Sequence, residues 1–273
     1  MEGLQSFRFN LGETRAPRDG VQKNERFGLF RYYLIAALYA PPEILADYLL
    51  GNGCTVEAVR HCVYSLRRLL SPNYAVISVE GKAIIEEPWS STCALLVFPG
   101  GADLGYCRTL NGEGNRKISQ YVERGGSYLG FCAGAYYASG RCEFEAGNKQ
   151  LEVVGERELA FYPGVCRGLA FPGFIYHSEA GAKAVELKVN KTSLSKGSVP
   201  DVFRSYYNGG GVFVDAPKYI DEGVEVLASY TEELKVDAGD GTAAVVYCKV
   251  GEGAAVLTCP HPEYIWPKSS SPK

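Results

Sequence analysis

Histidine is scarce in this chain: three in 273 residues, at His61, His177 and His261. Any chemistry that needs an imidazole base must draw on one of those positions. The nine cysteines contain no C-x-x-C pair, which argues against a zinc site. Net positive charge is also lacking. Lys and Arg total 28 against 31 Asp and Glu, a net charge of -3, so no global basic field points to nucleic acid or an anionic membrane. The apolar stretch 32–40 is too short to cross a bilayer and stops at Pro41-Pro42. It also begins too late for an ordinary signal peptide. No internal repeat is present, and no cofactor is expected.

The hydrophobic content of 46% and charged content of 22% are those of an ordinary globular protein. Most cysteines lie in apolar runs, such as Cys93 before Ala94-Leu95-Leu96-Val97 and Cys248 after Val245-Val246-Tyr247. They read as buried thiols in a reducing, cytoplasmic setting. Residues 1–45 read as an extension, loosely attached over the first 30 or so, with 32–40 as a short packed helix. Residues 46–267 read as one α/β domain and 268–273 as a polar tail.

Thr55 is placed to cap a helix whose apolar positions Val56, Val59, Val63, Leu66 and Leu70 recur at helical spacing. Residues 74–79 read as a strand. Residues 93–98 read as a strand buried on both faces, ending in Pro99-Gly100-Gly101. A helix follows around 115–123, then a strand over 127–129. This alternation predicts a doubly wound, mostly parallel sheet. Residues 141–180 read as an inserted antiparallel section that includes strands at 151–154 and 159–162, and 186–205 as a variable loop. Residues 243–250 and 254–259 form a hairpin across Gly251-Glu252-Gly253.

The densest signal is Gly130-Phe131-Cys132-Ala133-Gly134. A strand that stops at a small-x-nucleophile-x-small turn and enters a helix is a nucleophile elbow. It makes Cys132 the candidate nucleophile, since a helix N-terminus favours the thiolate. The hairpin delivers His261-Pro262-Glu263 to the end of a strand. Alternation along an extended segment puts His261 and Glu263 on one side, where the carboxylate can fix the imidazole tautomer. The expected set is Cys132 as nucleophile, His261 as base and Glu263 as orienter. Ala133 and either Gly100 or Gly101 are the candidate oxyanion-hole amides. His177 is a rival base, because His177-Ser178-Glu179 also sets an acid two residues on. Tyr207-Asn208-Gly209-Gly210-Gly211 is either a loop that approaches a ligand or a turn between strands. Tyr136, His177, Tyr207, Asn208 and Gly209 are the candidate substrate-binding residues.

Pro99-Gly100-Gly101, the elbow and His261-Pro262-Glu263 together resemble the class I glutamine amidotransferase superfamily, and imply its flavodoxin-like sheet. Phe98-Pro99-Gly100-Gly101-Ala102-Asp103, Cys132-Ala133-Gly134-Ala135-Tyr136, Phe161-Tyr162-Pro163-Gly164, His177-Ser178-Glu179-Ala180-Gly181-Ala182 and Tyr207-Asn208-Gly209-Gly210 are similar, in that order, to the N-terminal amidotransferase-like domain of eukaryotic biotin-protein ligases, fungal ones especially. The likeness spans about residues 50–265. It implies a module whose ligase activity lies in a separate C-terminal domain. That domain's Gly-Arg-Gly-Arg loop is absent here, so this chain is expected not to biotinylate. Two departures stand out. Asp47 occupies a place in Ile44-Leu45-Ala46-Asp47-Tyr48-Leu49-Leu50 where the family's first strand is apolar. Ala135-Tyr136-Tyr137 follows the elbow where active glutaminases carry a glutamine. The resemblance thus leaves two expectations. One is a Cys-dependent site for a small amide or carboxylate ligand. The other is a non-catalytic regulatory module acting with a ligase domain.

Overall fold

The computed structural model describes residues 53–193 and 199–264. The expected helix at 32–40, the run 44–50 with its Asp47, and the polar tail lie outside those residues. Among the described residues no helix is long and apolar enough to cross a membrane.

The first helix, α1 (Val56–Leu70), starts where Thr55 Oγ1 accepts from the Ala58 amide at 3.1 Å. Its Ala58, Val59, Cys62, Leu66 and Leu70 are buried, one stripe of an amphipathic helix. After α2 (Gly81–Glu86) come β1 (Leu96–Phe98), α3 (Asp103–Leu110), α4 (Glu113–Glu123), β2 (Ser127–Phe131) and the short α5 (Ala133–Tyr137). The remaining strands are β3 (Ser139–Phe144), β4 (Val153–Glu156), β5 (Tyr162–Gly168), β6 (Lys183–Val189), β7 (Val202–Tyr207), β8 (Val212–Phe213), β9 (Val224–Tyr230), β10 (Ala243–Val250) and β11 (Gly253–Thr258).

One curled sheet holds all of them, in the order β1-β2-β11-β10-β8-β5-β3-β4, with β9 joining β10 to β6 and β7 beyond it. The fold is mixed α/β. The parallel section β1-β2-β11 carries the helices, and β3 pairs parallel with β5. The other ladders are antiparallel.

Alternation along the parallel strands explains their continuous apolar sequence. Val97, Leu129 and Phe131 face α1 with Cys62 and Leu66. Leu96, Phe98 and Tyr128 face the other layer with Tyr106, Tyr121 and Tyr137. Both faces are dry, so neither needs a polar residue.

Three expectations fail locally. Residues 74–79 join no ladder among the described residues, although Val76 is buried against α1; the apolar pattern there serves packing without pairing. Residues 159–161 are not strand, and β5 begins at Tyr162. The loop expected at 186–205 is instead the hairpin β6/β7, paired from Lys183↔Tyr207 to Lys188↔Val202. Lys188 and Arg204 are exposed while Ser205 is buried, and this polar content masks an alternation in which Val185, Leu187 and Val189 are buried.

Candidate active site

The parallel register decides where the chemistry-bearing residues meet. Phe98 pairs with Gly130 and Phe131 pairs with Thr258. Pro99-Gly100-Gly101, Cys132 and Cys259-Pro260-His261 therefore leave three adjacent strands at one rim.

At the elbow, Cys132 has φ 46° and ψ -98°, a left-handed conformation that costs a non-glycine residue about 1–3 kcal/mol. The turn is held by its own hydrogen bonds. The Cys132 amide donates to Thr258 O at 2.8 Å, while the amides of Ala135 and Tyr136 both donate to Cys132 O at 2.9 Å. The flanking glycines are required by contact. A Cβ on Gly130 would lie 2.5 Å from Gly134 O, and one on Gly134 would lie 2.2 Å from Phe98 O. The steric reading of the motif therefore holds atom by atom.

His261 and Glu263 are buried beside this turn, at 5% and 2% exposure, and Cys132 at 6%. His261 Nδ1 lies 2.7 Å from Glu263 Oε1. Glu263 takes Nδ1, so Nε2 is the nitrogen left for the Cys132 thiol, which lies close enough to act on the imidazole electrostatically. Burial alone would push the imidazole down. The charges of Glu263 and Cys132 and their hydrogen bonds outweigh it and hold the group well above its ordinary value.

The route by which Glu263 reaches the ring differs from expectation. The segment is not extended: the Tyr264 amide donates to His261 O at 3.2 Å, closing a turn across Pro262. Chain reversal, not alternation, brings the carboxylate round. Ser65 Oγ from α1 donates to Glu263 O at 2.7 Å and ties the turn to the helix.

The other histidines lie apart from the thiol. His177 is exposed in a loop with φ 60°, its ring 6.3 Å from that of Tyr176. His61 stacks on Tyr264 with centroids 4.2 Å apart.

The glycine-rich segment is the expected connection between two strands, β7 and β8. It follows β7 and presses on the site. A Cβ on Gly210 would lie 2.3 Å from Cys259 O, and one on Gly211 would lie 2.7 Å from Tyr136 Oη. Asn208 O is 4.0 Å from Cys132 Sγ. Tyr136 Oη donates to Gly209 O at 3.4 Å, so this phenol is bound to the segment itself. Tyr207 points the other way. It is fully buried, donating to Gly210 O at 2.7 Å and accepting from the Phe171 amide at 2.9 Å. Its ring belongs to the core.

Tyr206, which is not among the expected site residues, faces the site in its stead. Its main-chain oxygen accepts from the His261 amide at 2.7 Å. Its ring stacks on Tyr264 at 4.7 Å and stands edge-on to His261 at 5.9 Å, and its hydroxyl donates to Glu179 Oε2 at 2.6 Å. The signal was available once β7 was known to be a strand, since neighbours in a strand face opposite ways.

A buried ion pair braces the rim from behind. Asp103 Oδ2 accepts from Arg157 Nε at 2.7 Å, with Nη2 at 2.6 Å. Asp103 opens α3 directly after the Pro99-Gly100-Gly101 turn, so the pair holds that turn against the strand β4 side of the molecule.

Comparison with known proteins agrees over most of the chain. Residues 48–272 match the family described as biotin-protein ligase, N terminal. A biotin-protein ligase of Schizosaccharomyces pombe is 41% identical over 214 residues, covering 78% of this chain and 32% of that protein. The chain thus spans about a third of that relative's length. An uncharacterized protein of Chlamydia muridarum is 36% identical over 217 residues, covering 78% of each. Among solved structures, a glutamine amidotransferase superposes with a TM-score of 0.48 at 19% identity, over 75% of this chain and 85% of that one. On the match that runs from residue 48 to residue 272, the chain belongs to the biotin-protein ligase N-terminal family.

Proposed function

We propose that Cys132, His261 and Glu263 form a site for acyl transfer from a small amide. One observation carries the reading: a thiol held at a strained elbow lies beside an imidazole whose Nδ1 is 2.7 Å from a buried carboxylate. Cys132 attacks the carbonyl carbon as the thiolate, its proton already held on His261 Nε2, and Glu263 stabilises the imidazolium. The oxyanion is received by main-chain amides. Ala133 opens α5, so its N–H has no partner within the helix. The Cys54↔Gly101 bridge is closed by the Thr55 and Ala102 amides, at 3.4 and 2.7 Å, and does not use that of Gly101. The tetrahedral adduct collapses, the C–N bond breaks, and His261 returns its proton to the departing amine. Water then attacks the thioester, its proton going to His261, and releases a carboxylic acid and the free thiol.

The acceptor of any transferred ammonia belongs to a partner. The biotin-protein ligase relative makes a ligase catalytic domain the partner of choice, with this chain as the module beside it. A regulatory reading is favoured by one observation: Tyr136, in the Ala135-Tyr136-Tyr137 stretch where glutaminases carry a glutamine, is bound to the glycine-rich segment rather than open to a ligand. The test is ammonia release from glutamine and other primary amides, with Cys132→Ala as control, together with thiol labelling at neutral pH. Release that depends on Cys132, and rapid labelling lost in His261→Ala, support catalysis. Uniformly slow labelling and no release from any amide leave the regulatory module.

A further inference from the structure

Asn208 presents three polar groups to its surroundings, and the structure engages them unequally. Its Nδ2 donates to Ser178 O at 3.1 Å and lies 3.5 Å from Tyr206 Oη. A main-chain carbonyl can only accept, so this contact fixes which end of the amide is nitrogen. The other end, Oδ1, is buried without a partner. The main-chain oxygen of the same residue sits 4.0 Å from Cys132 Sγ.

Two conflicts follow. An unpaired buried acceptor is destabilising, and in a native structure it calls for an explanation. A carbonyl oxygen beside sulfur is tolerable while an S–H bond points at it, but repels the thiolate formed when His261 takes the proton. One group resolves both: an N–H donor supplied by the ligand. A single –NH2 carries two such hydrogens, enough for both oxygens. The nearby Glu179 carboxylate, accepting from Tyr206 Oη at 2.6 Å, adds to the acceptor character of this side and opposes an anionic ligand.

Resting on the acyl-transfer reading of Cys132, we propose that Asn208 is the specificity-determining residue of the site. Its two oxygens accept from the –NH2 of a primary carboxamide bound at Cys132, and so select it against ketones, esters and carboxylates of the same shape. A site built to pair with a substrate N–H rejects the analogue that lacks it, because its own buried groups then stay unpaired.

Chloroacetamide and chloroacetone test this. They share a heavy-atom shape, with –NH2 in one where the other has –CH3. In each reaction the Cys132 sulfur bonds to the CH2 carbon, chloride leaves, and the thiol proton goes to His261 or solvent. The full chain is alkylated with each reagent, and the rate at the Cys132 peptide is read by mass spectrometry. The amide-to-ketone ratio is divided by the same ratio for glutathione, which removes intrinsic reactivity. In the unsubstituted chain the normalised ratio is expected to be about tenfold above one, the scale of one or two hydrogen bonds. Asn208→Ala lowers it several-fold but not fully to one, because the main-chain oxygen remains. Asn208→Asp keeps it high, because that variant retains an acceptor while losing the tie to Ser178.

A ratio near one in the unsubstituted chain overturns the proposal, as does an unchanged ratio in Asn208→Ala. So does the absence of any reaction at Cys132. Equal loss in the Ala and Asp variants also overturns it, since it assigns Asn208 to holding the loop alone. Failure of the acyl-transfer reading looks different: both rates are then indifferent to His261→Ala, while their ratio still depends on Asn208.

Discussion

Gly100 and His261 touch with no space between them: a Cβ built on Gly100 would lie 2.4 Å from His261 Cε1 and 3.2 Å from Nδ1. The glycine at the end of β1 is therefore a wall of the imidazole pocket as well as a flexible turn residue. With Glu263 on one nitrogen and Tyr206 and Tyr264 edge-on to the ring, the base has one orientation available.

Gly100→Ala is expected to displace the ring and break its contact with sulfur. The labelling rate of Cys132 at neutral pH should fall to that of His261→Ala. Overpacking of this kind costs about 1–3 kcal/mol, so the variant should remain folded in a denaturant titration. Labelling at the unsubstituted rate would show that the imidazole does not depend on this wall.

The raised imidazole value makes a signed statement about pH. An unfolded histidine titrates near 6.5, and the folded group lies well above that. Its contribution to stability is complete below pH 6.5 and drains away as pH rises toward the folded value. Unfolding free energy measured across that alkaline-going window should decline in the unsubstituted chain. Glu263→Gln removes the largest cause that raises the value, so its curve should be flatter over the same window. Parallel curves would count against the pairing.

Backbone strain at the elbow predicts an unusual ranking at one position. Cys132 sits at φ 46°, where glycine carries no Cβ penalty. Cys132→Gly should be more stable than Cys132→Ala by about 1 kcal/mol, the reverse of the order expected in a regular element. Thermal or chemical unfolding of the two variants measures this directly.

Arg157 and Asp103 form a pair with side chains 5% and 9% exposed. Removing one partner strands the other's charge, so Arg157→Ala should cost about 3–5 kcal/mol. A double replacement by apolar residues of similar volume should recover much of that loss. Because Asp103 follows the Gly100-Gly101 turn, the single variant should also slow Cys132 labelling; intact labelling would confine the pair to stability.

Much of this was legible in the sequence because the relevant signals are local. The elbow is five consecutive residues whose sizes obey contacts such as Gly134 against Phe98 O, and the dry strand, expected over 93–98 and found at Leu96–Phe98, needs no partner to be recognised. The β10/β11 hairpin, with its turn at Gly251, was equally plain. Illegible features depended on distant pairing. The β6/β7 hairpin mixes exposed Lys188 and Arg204 with a buried Ser205, a polar content that resembles a loop in sequence alone. The acceptor role of Asn208 depends on where Ser178 O lies, thirty residues away along the chain. The turn at Pro262 gave the expected contact by an unexpected path, because the same two residues meet whether the segment runs straight or folds back.

The three-strand rim has a consequence for how such a chain tolerates change. Nucleophile and base are positioned by the pairings Phe98↔Gly130 and Phe131↔Thr258, not by the connections between strands. Added residues in the turn at Gly251 or beyond α4 lengthen the path but leave both groups facing each other. A single residue deleted inside β11 would swing the imidazole to the opposite side of the layer, and no adjustment of the surrounding loops could bring it back.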